Sequence, residues 1–276
     1  MNSTQKTIKS LAIVFGIFLS IGIISAILFG ILMIGSVITG VNLYYNSKDL
    51  VSETIEVTEE IQNIRIELNA SKLNVKTLPT TGTLSIETYA EKDNFIIDVK
   101  KDTLVIKEKR KNVLNINNSE IIIYIPEDLI FNEVEIEIGA GEATISKLET
   151  EEINIKMGAG STEIKELITT KTTKVEGGVG RFEIKSGEVN NLDLGAGVGE
   201  NIIRAKLTGK TKIENGVGEV KLDIDGKAED YSITTKLGIG SITLNGKKCA
   251  NDETYGEGKN SIKVEGGIGE VKITTK

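Results

Sequence analysis

Two hydrophobic patterns divide the chain. From Leu11 to Leu43 apolar residues run on without one charged side chain. Beyond about residue 50 they alternate with polar ones, as in Ile64-Ile66-Leu68, Leu84-Ile86-Thr88, Ile97-Val99 and Leu104-Ile106. A period of two is the mark of a half-buried strand. Ile121–Ile125 is continuously apolar until Pro126 stops it, which suits a strand covered on both faces. Outside the first run no amphipathic helical spacing occurs, so an all-β domain is predicted from residue 50 onward.

Within that domain the segment IEIGAGEATI, Ile136–Ile145, recurs. Its counterparts begin at Ile155, Val175, Leu194, Ile213, Thr235 and Val264. Each carries a Gly-Φ-Gly core, with Φ apolar, whose second glycines are Gly141, Gly160, Gly180, Gly199, Gly218, Gly240 and Gly269. The steps between them are 19, 20, 19, 19, 22 and 29 residues. A near-constant step of this size marks a repeat architecture.

The apolar parity changes within each copy. Ile136, Ile138 and Ala140 share one parity, and Ala143 and Ile145 take the other. The same offset separates Val179 from Phe182 and Ile184, and Val217 from Val220 and Leu222. A strand changes its buried face only through a bend or bulge. The Gly-Φ-Gly core is the natural bend, because glycine tolerates positive φ and close backbone approach. The residue that follows is polar in every copy: Glu142, Ser161, Arg181, Glu200, Glu219, Ser241 and Glu270. A second strand precedes each bend, such as Ile153-Ile155-Met157. One repeat therefore reads as two strands and two corners, and the fold class as a parallel, β-helix-like β-solenoid of about 19–20-residue coils. An antiparallel sandwich or barrel would also use short alternating strands, but the regular step favours stacked coils.

Residues 50–135 form an irregular β region before the regular repeats of 136–276. Ile66–Val75, IELNASKLNV, overlays on IEIGAGEATI with Asn69, Ala70 and Ser71 in place of Gly139, Ala140 and Gly141. It reads as a decayed repeat in a region that caps the stack on the side nearest the membrane. Near the other terminus, Gly246–Gly258 accounts for the longest step and reads as a polar loop projecting from the stack, with Cys249 as a free or half-buried thiol. The last strand, Val271–Thr275, has no evident cap. An open solenoid end can add a further strand, so weak end-to-end self-association is expected there.

A bilayer core takes about 20 apolar residues, and 11–43 exceeds that without reaching two spans. Signal-peptide apolar cores run about 7–15 residues, and no cleavage site or lipid-attachment cysteine is evident. The run reads as one uncleaved transmembrane helix behind a cytoplasmic tail of residues 1–10. Lys6 and Lys9 precede it, while Tyr44, Tyr45 and the neutralising pair Lys48 and Asp49 follow. The positive-inside bias then places the N-terminus in the cytoplasm and the β domain outside. Gly22, Ala26 and Gly30 form a small-residue stripe of the kind that lets two spans pack.

Composition narrows the function. There is no His, no Trp and one Cys. This excludes an intrachain disulfide, a Cys/His zinc site and catalysis by a His base. Residues 1–48 carry +3 and the remainder −10. That acidic balance opposes nucleic acid and favours solubility. The runs GGVG and GAGVG lack the Gly-Lys-Ser/Thr ending of a phosphate loop and no helix follows them. Calcium-binding β-rolls need an Asp where this chain has Phe182 or Val271. The corner acids Glu142, Glu200, Glu219 and Glu270 read as corner solvation. No catalytic residue, cofactor site or metal site is assigned, and an enzyme is not expected.

The segment YIPEDLIFNEVEIEIGAGEATISKLETEEINIKMGAG, followed by Gly-x-Gly-Glu strands, resembles the bacterial "putative adhesin" family, a domain of unknown function often found behind a membrane anchor in Gram-positive bacteria. The resemblance covers residues 55–276. It implies a β-helical extracellular domain and gives no catalytic residues. The function expected is an anchored, non-catalytic binding or structural protein of the cell envelope, with a cell-wall polymer or surface protein as partner. The alternative is an envelope-stress sensor acting through the membrane segment, a role for which residues 1–10 offer little to signal with.

Overall fold

The computed structural model describes residues 50–58, 60–80, 82–91, 93–109 and 119–276. The expected membrane helix and its small-residue stripe lie outside them. Among the described residues no helix is long and apolar enough to cross a membrane. The strands in chain order are β1 (Leu50–Glu56), β2 (Asn63–Leu68), β3 (Lys72–Leu78), β4 (Ser85–Glu91), β5 (Phe95–Lys100), β6 (Thr103–Glu108), β7 (Glu120–Pro126), β8 (Phe131–Ile145) and β9 (Leu148–Ile164). There follow β10 (Leu167–Ile184), β11 (Gly187–Asn190), β12 (Leu192–Thr208), β13 (Lys210–Ile224), β14 (Tyr231–Leu244), β15 (Lys247–Lys248), β16 (Glu253–Tyr255) and β17 (Asn260–Thr275). A 3-10 turn, Ala228–Asp230, precedes β14.

Each copy of the repeat is one continuous strand of 14 to 18 residues, not two shorter ones. Neighbouring copies pair in parallel with Gly-Φ-Gly cores in register: Gly141 with Gly160, Gly160 with Gly180, Gly180 with Gly199 and Gly199 with Gly218. A straight strand of 17 residues would be about 56 Å long. Yet β9 and β10 are joined by Lys165 and Glu166 alone, and Leu148 pairs with Leu167. Two residues reach about 7 Å. The strand must therefore wind round on itself between its ends, so consecutive copies lie directly above one another as coils of a solenoid.

The parity change appears as expected. In β8, Val134, Ile136 and Ile138 are buried before the corner, and Ala143 and Ile145 after it. The inward side chains stack in columns, for example Ile136, Ile155, Val175, Leu194 and Ile213. Fully burying one such side chain contributes about 1.5–3 kcal/mol, and no coil can do this without its neighbours.

Both ends depart from sequential stacking. The decayed repeat is real: β2 and β3 lie under β8 with Ile66 beside Ile136 and Val75 beside Ile145. The coil beneath it is formed later in the chain, by β6 on β2 and β7 on β3. Antiparallel strands then close that end, β5 on β6, β4 on β7 and β1 on β4. At the other end β14 is the outermost coil and β17 slots between it and β13. Val271–Ile273 is thus paired on both edges and Thr274 and Thr275 on the β13 edge, and the open terminal strand expected there does not exist. The segment Gly246–Gly258 is likewise no projecting loop, since β15 and β16 fold back antiparallel on β14 and cap it.

Candidate functional site

The Gly-Φ-Gly corners build one continuous surface feature. Because the coils stack in register, the Φ residues form a single file: Ala140, Ala159, Val179, Val198, Val217, Ile268 and Ile239. The shared parity of Ile136, Ile138 and Ala140 predicts a buried face that continues through Φ. The structure turns Φ outward instead, leaving Val179 55%, Val198 37% and Ile239 64% exposed. The backbone rounds the corner with Φ on its convex side, so the inward series ends one residue pair earlier, at Ile138 or its equivalents.

Two rows of glycine flank this ridge. Gly199 shows why the second row admits no side chain. Its φ is +148°, and a Cβ there would lie 1.7 Å from the Gly180 carbonyl oxygen of the coil beneath. In the first row a Cβ on Gly178 would lie 2.2 Å from the Gly158 oxygen. Gly141, Gly160, Gly180, Gly199, Gly218, Gly240 and Gly269 all have positive φ and all sit at this corner. The result is an apolar ridge one side chain wide between two bare backbone grooves.

Charged residues line the ridge. Arg181 binds both Glu200 and Glu183, the latter at 2.9 Å from Nη2. Arg204 also binds Glu183 and reaches Asp223 at 3.2 Å. Burial alone would raise the Glu183 carboxyl, but hydrogen bonds and charge from the two guanidinium groups outweigh it and hold the pKa below the usual value. Lys272 bridges Glu270 at 2.9 Å and Glu219 at 3.1 Å, and those two bonds raise its pKa. Glu142 stands 4.0 Å from Lys72. The corner acids are therefore distributed among cations of neighbouring coils.

Two clusters were not legible in the sequence. In the decayed coil, where glycine is missing from the corner, one carboxylate oxygen of Glu108 accepts the N–H groups of Asn69, Ala70 and Ser71 at 2.7, 3.1 and 3.3 Å. Glu108 lies 37 residues further along the chain than Ser71, and nothing in its surroundings signals the pairing. On the outer face of β4 and β7, Tyr89 and Tyr124 donate to Glu87, the latter at 3.0 Å, and these bonds lower the Glu87 pKa. The Lys76 ammonium sits 5.4 Å from the centre of the Tyr124 ring. The alternation around Tyr89 and Tyr124 signals strands but not their common carboxylate.

Among the described residues no group of three or more His, Cys, Asp or Glu could hold a metal ion. Cys249 is half-buried against the core, 3.6 Å from the Lys247 carbonyl oxygen. A cleft of 190 Å³ opens at the first cap between Val51, Ile55, Ala90, Phe95 and Ile97. The ridge, with its glycine grooves and charged margins, is the extended feature of the domain.

Three solved structures are similar in fold. A "putative cell adhesion protein" from Clostridium sporogenes is 20% identical, with a TM-score of 0.42 over 82% of this chain and 100% of that one. "Putative adhesin" structures from Parabacteroides merdae and Bacteroides fragilis are each 13% identical, with TM-scores of 0.37 and 0.34. They cover 81% and 82% of this chain and 96% and 97% of their own. No curated protein matches the chain. The Toastrack DUF4097 family model matches residues 47–273, and the chain belongs to that family.

Proposed function

We propose that this protein is a membrane-anchored, non-catalytic binding and structural protein of the cell envelope. Residues 11–43 hold it in the bilayer as a single span with the N-terminus in the cytoplasm. Residues 50–276 stand outside as a rigid stack that presents a repeated surface to a cell-wall polymer or surface protein. The observation that carries this reading is the ridge: one outward apolar residue per coil, exposed or half-buried, on a scaffold whose backbone is locked coil to coil. A rigid element with regularly spaced contacts binds extended partners at little conformational cost. The acidic balance of the domain and the absence of His agree with a role other than nucleic-acid binding or His-based catalysis.

Two measurements test the proposal. Protease added to intact cells is expected to remove the domain beyond about residue 50, and full protection would overturn the topology. Cells lacking residues 50–276 are expected to adhere less to immobilised cell-wall polymer than cells carrying the full chain. Equal adherence would overturn the binding role.

A further inference from the structure

The ridge is graded along its length. Read through the stack from the β8 end, it runs Ala140, Ala159, Val179, Val198, Val217, Ile268, Ile239. Small residues occupy one end, the largest occupy the other, and Val198 is the midpoint. Reversed and laid against itself, this series places Ala140 against Ile239, Ala159 against Ile268, and Val179 against Val217. Each level then holds nearly the same side-chain volume. A parallel pairing would instead leave a gap at one end and crowding at the other.

The charged rows beside the ridge obey the same reversal. On the side before the corner the row is Glu137, Lys156, Glu176, Gly195, Glu214, Glu265 and Lys236. A two-fold axis through Val198 sets Glu137 against Lys236 and Lys156 against Glu265. It also opposes Glu176 and Glu214, but these already hold Lys174 at 2.7 Å and Lys212 at 2.9 Å. On the other side Arg181 meets Glu219, and the Glu200 that meets its own copy is already bound to Arg181. Opposite charges therefore face each other in three pairings, although Lys236 and Arg181 also keep partners within their own copy, Asp252 at 3.9 Å and Glu183 at 2.9 Å, and like charges face only where each acid is already neutralised within its own copy.

We infer that the corner ridge is a self-recognition surface, on which a second copy of this chain docks antiparallel about a two-fold axis at Val198. The contact is isologous, so it closes at two copies. Seven levels spaced about 4.8 Å apart give a strip about 29 Å long. It covers on the order of 400 Å² on each copy, in the range of weak, transient contacts. Such docking rests on the reading of the ridge as the binding face and makes a second copy the surface protein it meets; the reversal places the two β1 strands, where the chain enters each domain, at opposite ends of the pair.

Disulfide trapping in the full-length chain, in detergent with Cys249→Ser as background, tests this. Val198→Cys sits on the axis and is expected to give a covalent homodimer on mild oxidation. Ala140→Cys alone is expected to give none, while a mixture of Ala140→Cys and Ile239→Cys chains is expected to give one. Adding Val179→Lys and Val217→Lys to Val198→Cys should lower the trapped dimer roughly tenfold or more, since both lysines would enter the apolar strip. These ridge side chains are exposed except for Val217, which is half-buried, and unchanged protease resistance confirms that each variant folds. No dimer from Val198→Cys, efficient dimer from Ala140→Cys alone, or trapping unaffected by the two lysines would each overturn the proposal.

Discussion

The coils from β8 to β13 and the two ends of the stack solve the same problem by different means. In the middle, chain order and spatial order coincide, and each corner is turned by glycine at positive φ. At the ends, chain order breaks: β6 and β7 lie beneath β2 and β3, and β17 lies beneath β14. The glycine of the decayed corner is replaced by Ser71, and the Glu108 carboxylate takes up the exposed amides. The middle is thus held by a local backbone rule repeated many times. The ends are held by particular long-range partners, each used once. A repeat that only propagates would present bare edges at both ends. Breaking chain order lets antiparallel strands cover them, and β17 is locked inside, between β13 and β14.

The largest effect that follows concerns β17. In a sequential solenoid, loss of the final strand would trim one coil and leave the rest intact. Here removal of residues 260–276 takes away the strand on which β14 rests along its whole length. Residues 231–255 are expected to lose protection together, and limited proteolysis should cut the truncated chain just beyond Ile224. If 231–255 stayed protected, β14 would have closed onto β13, and the inserted strand would be dispensable.

The next effect separates two glycines four residues apart in β12. Gly199→Ala adds a Cβ at φ +148° and 1.7 Å from a backbone oxygen. It should cost about 3–5 kcal/mol, because neither the strained φ nor the stacked carbonyl can relax without moving a coil. Gly195 has nothing within 4 Å of the same added atom. Gly195→Ala should leave stability unchanged or raise it by about 0.4–1 kcal/mol through the unfolded chain. Urea unfolding of the two variants decides the matter. Similar losses would mean that the corner holds no special constraint.

The middle of the molecule was legible in the sequence for the same reason that it is sensitive to Gly199. The parity switch between Ile138 and Ala143 and the spacing of the glycines follow from backbone geometry alone, and backbone geometry repeats. The orientation of Φ was not legible, because an apolar residue between two glycines reads as the next inward position. Only the stacked coils show that the chain has already turned by then. The insertion of β17 was not legible either. Its sequence, VEGGIGEVKI, fits between any two coils of this stack equally well, and nothing local ranks the position beside β13 above the end. The charge matching beside the ridge becomes visible only when Glu265 is placed before Lys236, an order opposite to that of the chain.

A third effect, intermediate in size, belongs to the irregular end. Glu108→Ala would leave the amides of Asn69, Ala70 and Ser71 without their shared acceptor. These groups are close to water, so the expected cost is about 2 kcal/mol and not the full penalty of burial. If the decayed corner depends on that carboxylate as the regular corners depend on glycine, then Asn69→Gly and Ser71→Gly together should recover part of the loss. The measurement is the thermal midpoint of the single and combined variants. No recovery would show that the first corner is shaped by β6 itself and not by its missing glycines.

The smallest effect tests the charge network that ties the regular coils together outside the core. Glu183 in β10 receives Arg181 from its own strand and Arg204 from β12, and its pKa is held low despite its burial. A carboxyl with a depressed folded-state pKa contributes stability that is present above the unfolded value, about 4.3, and is lost as pH falls through the folded one. Glu183→Gln should therefore cost about 1 kcal/mol at pH 7, since both arginines still reach water. The gap should shrink as pH is lowered past 4, where the parent chain takes up the proton and loses the same interaction. Urea midpoints of parent and variant between pH 7 and pH 3 measure that gap. A gap that persists undiminished at pH 3 would assign the role of Glu183 to packing between Phe182 and Ile184, and the coils would then owe nothing to charge at this point.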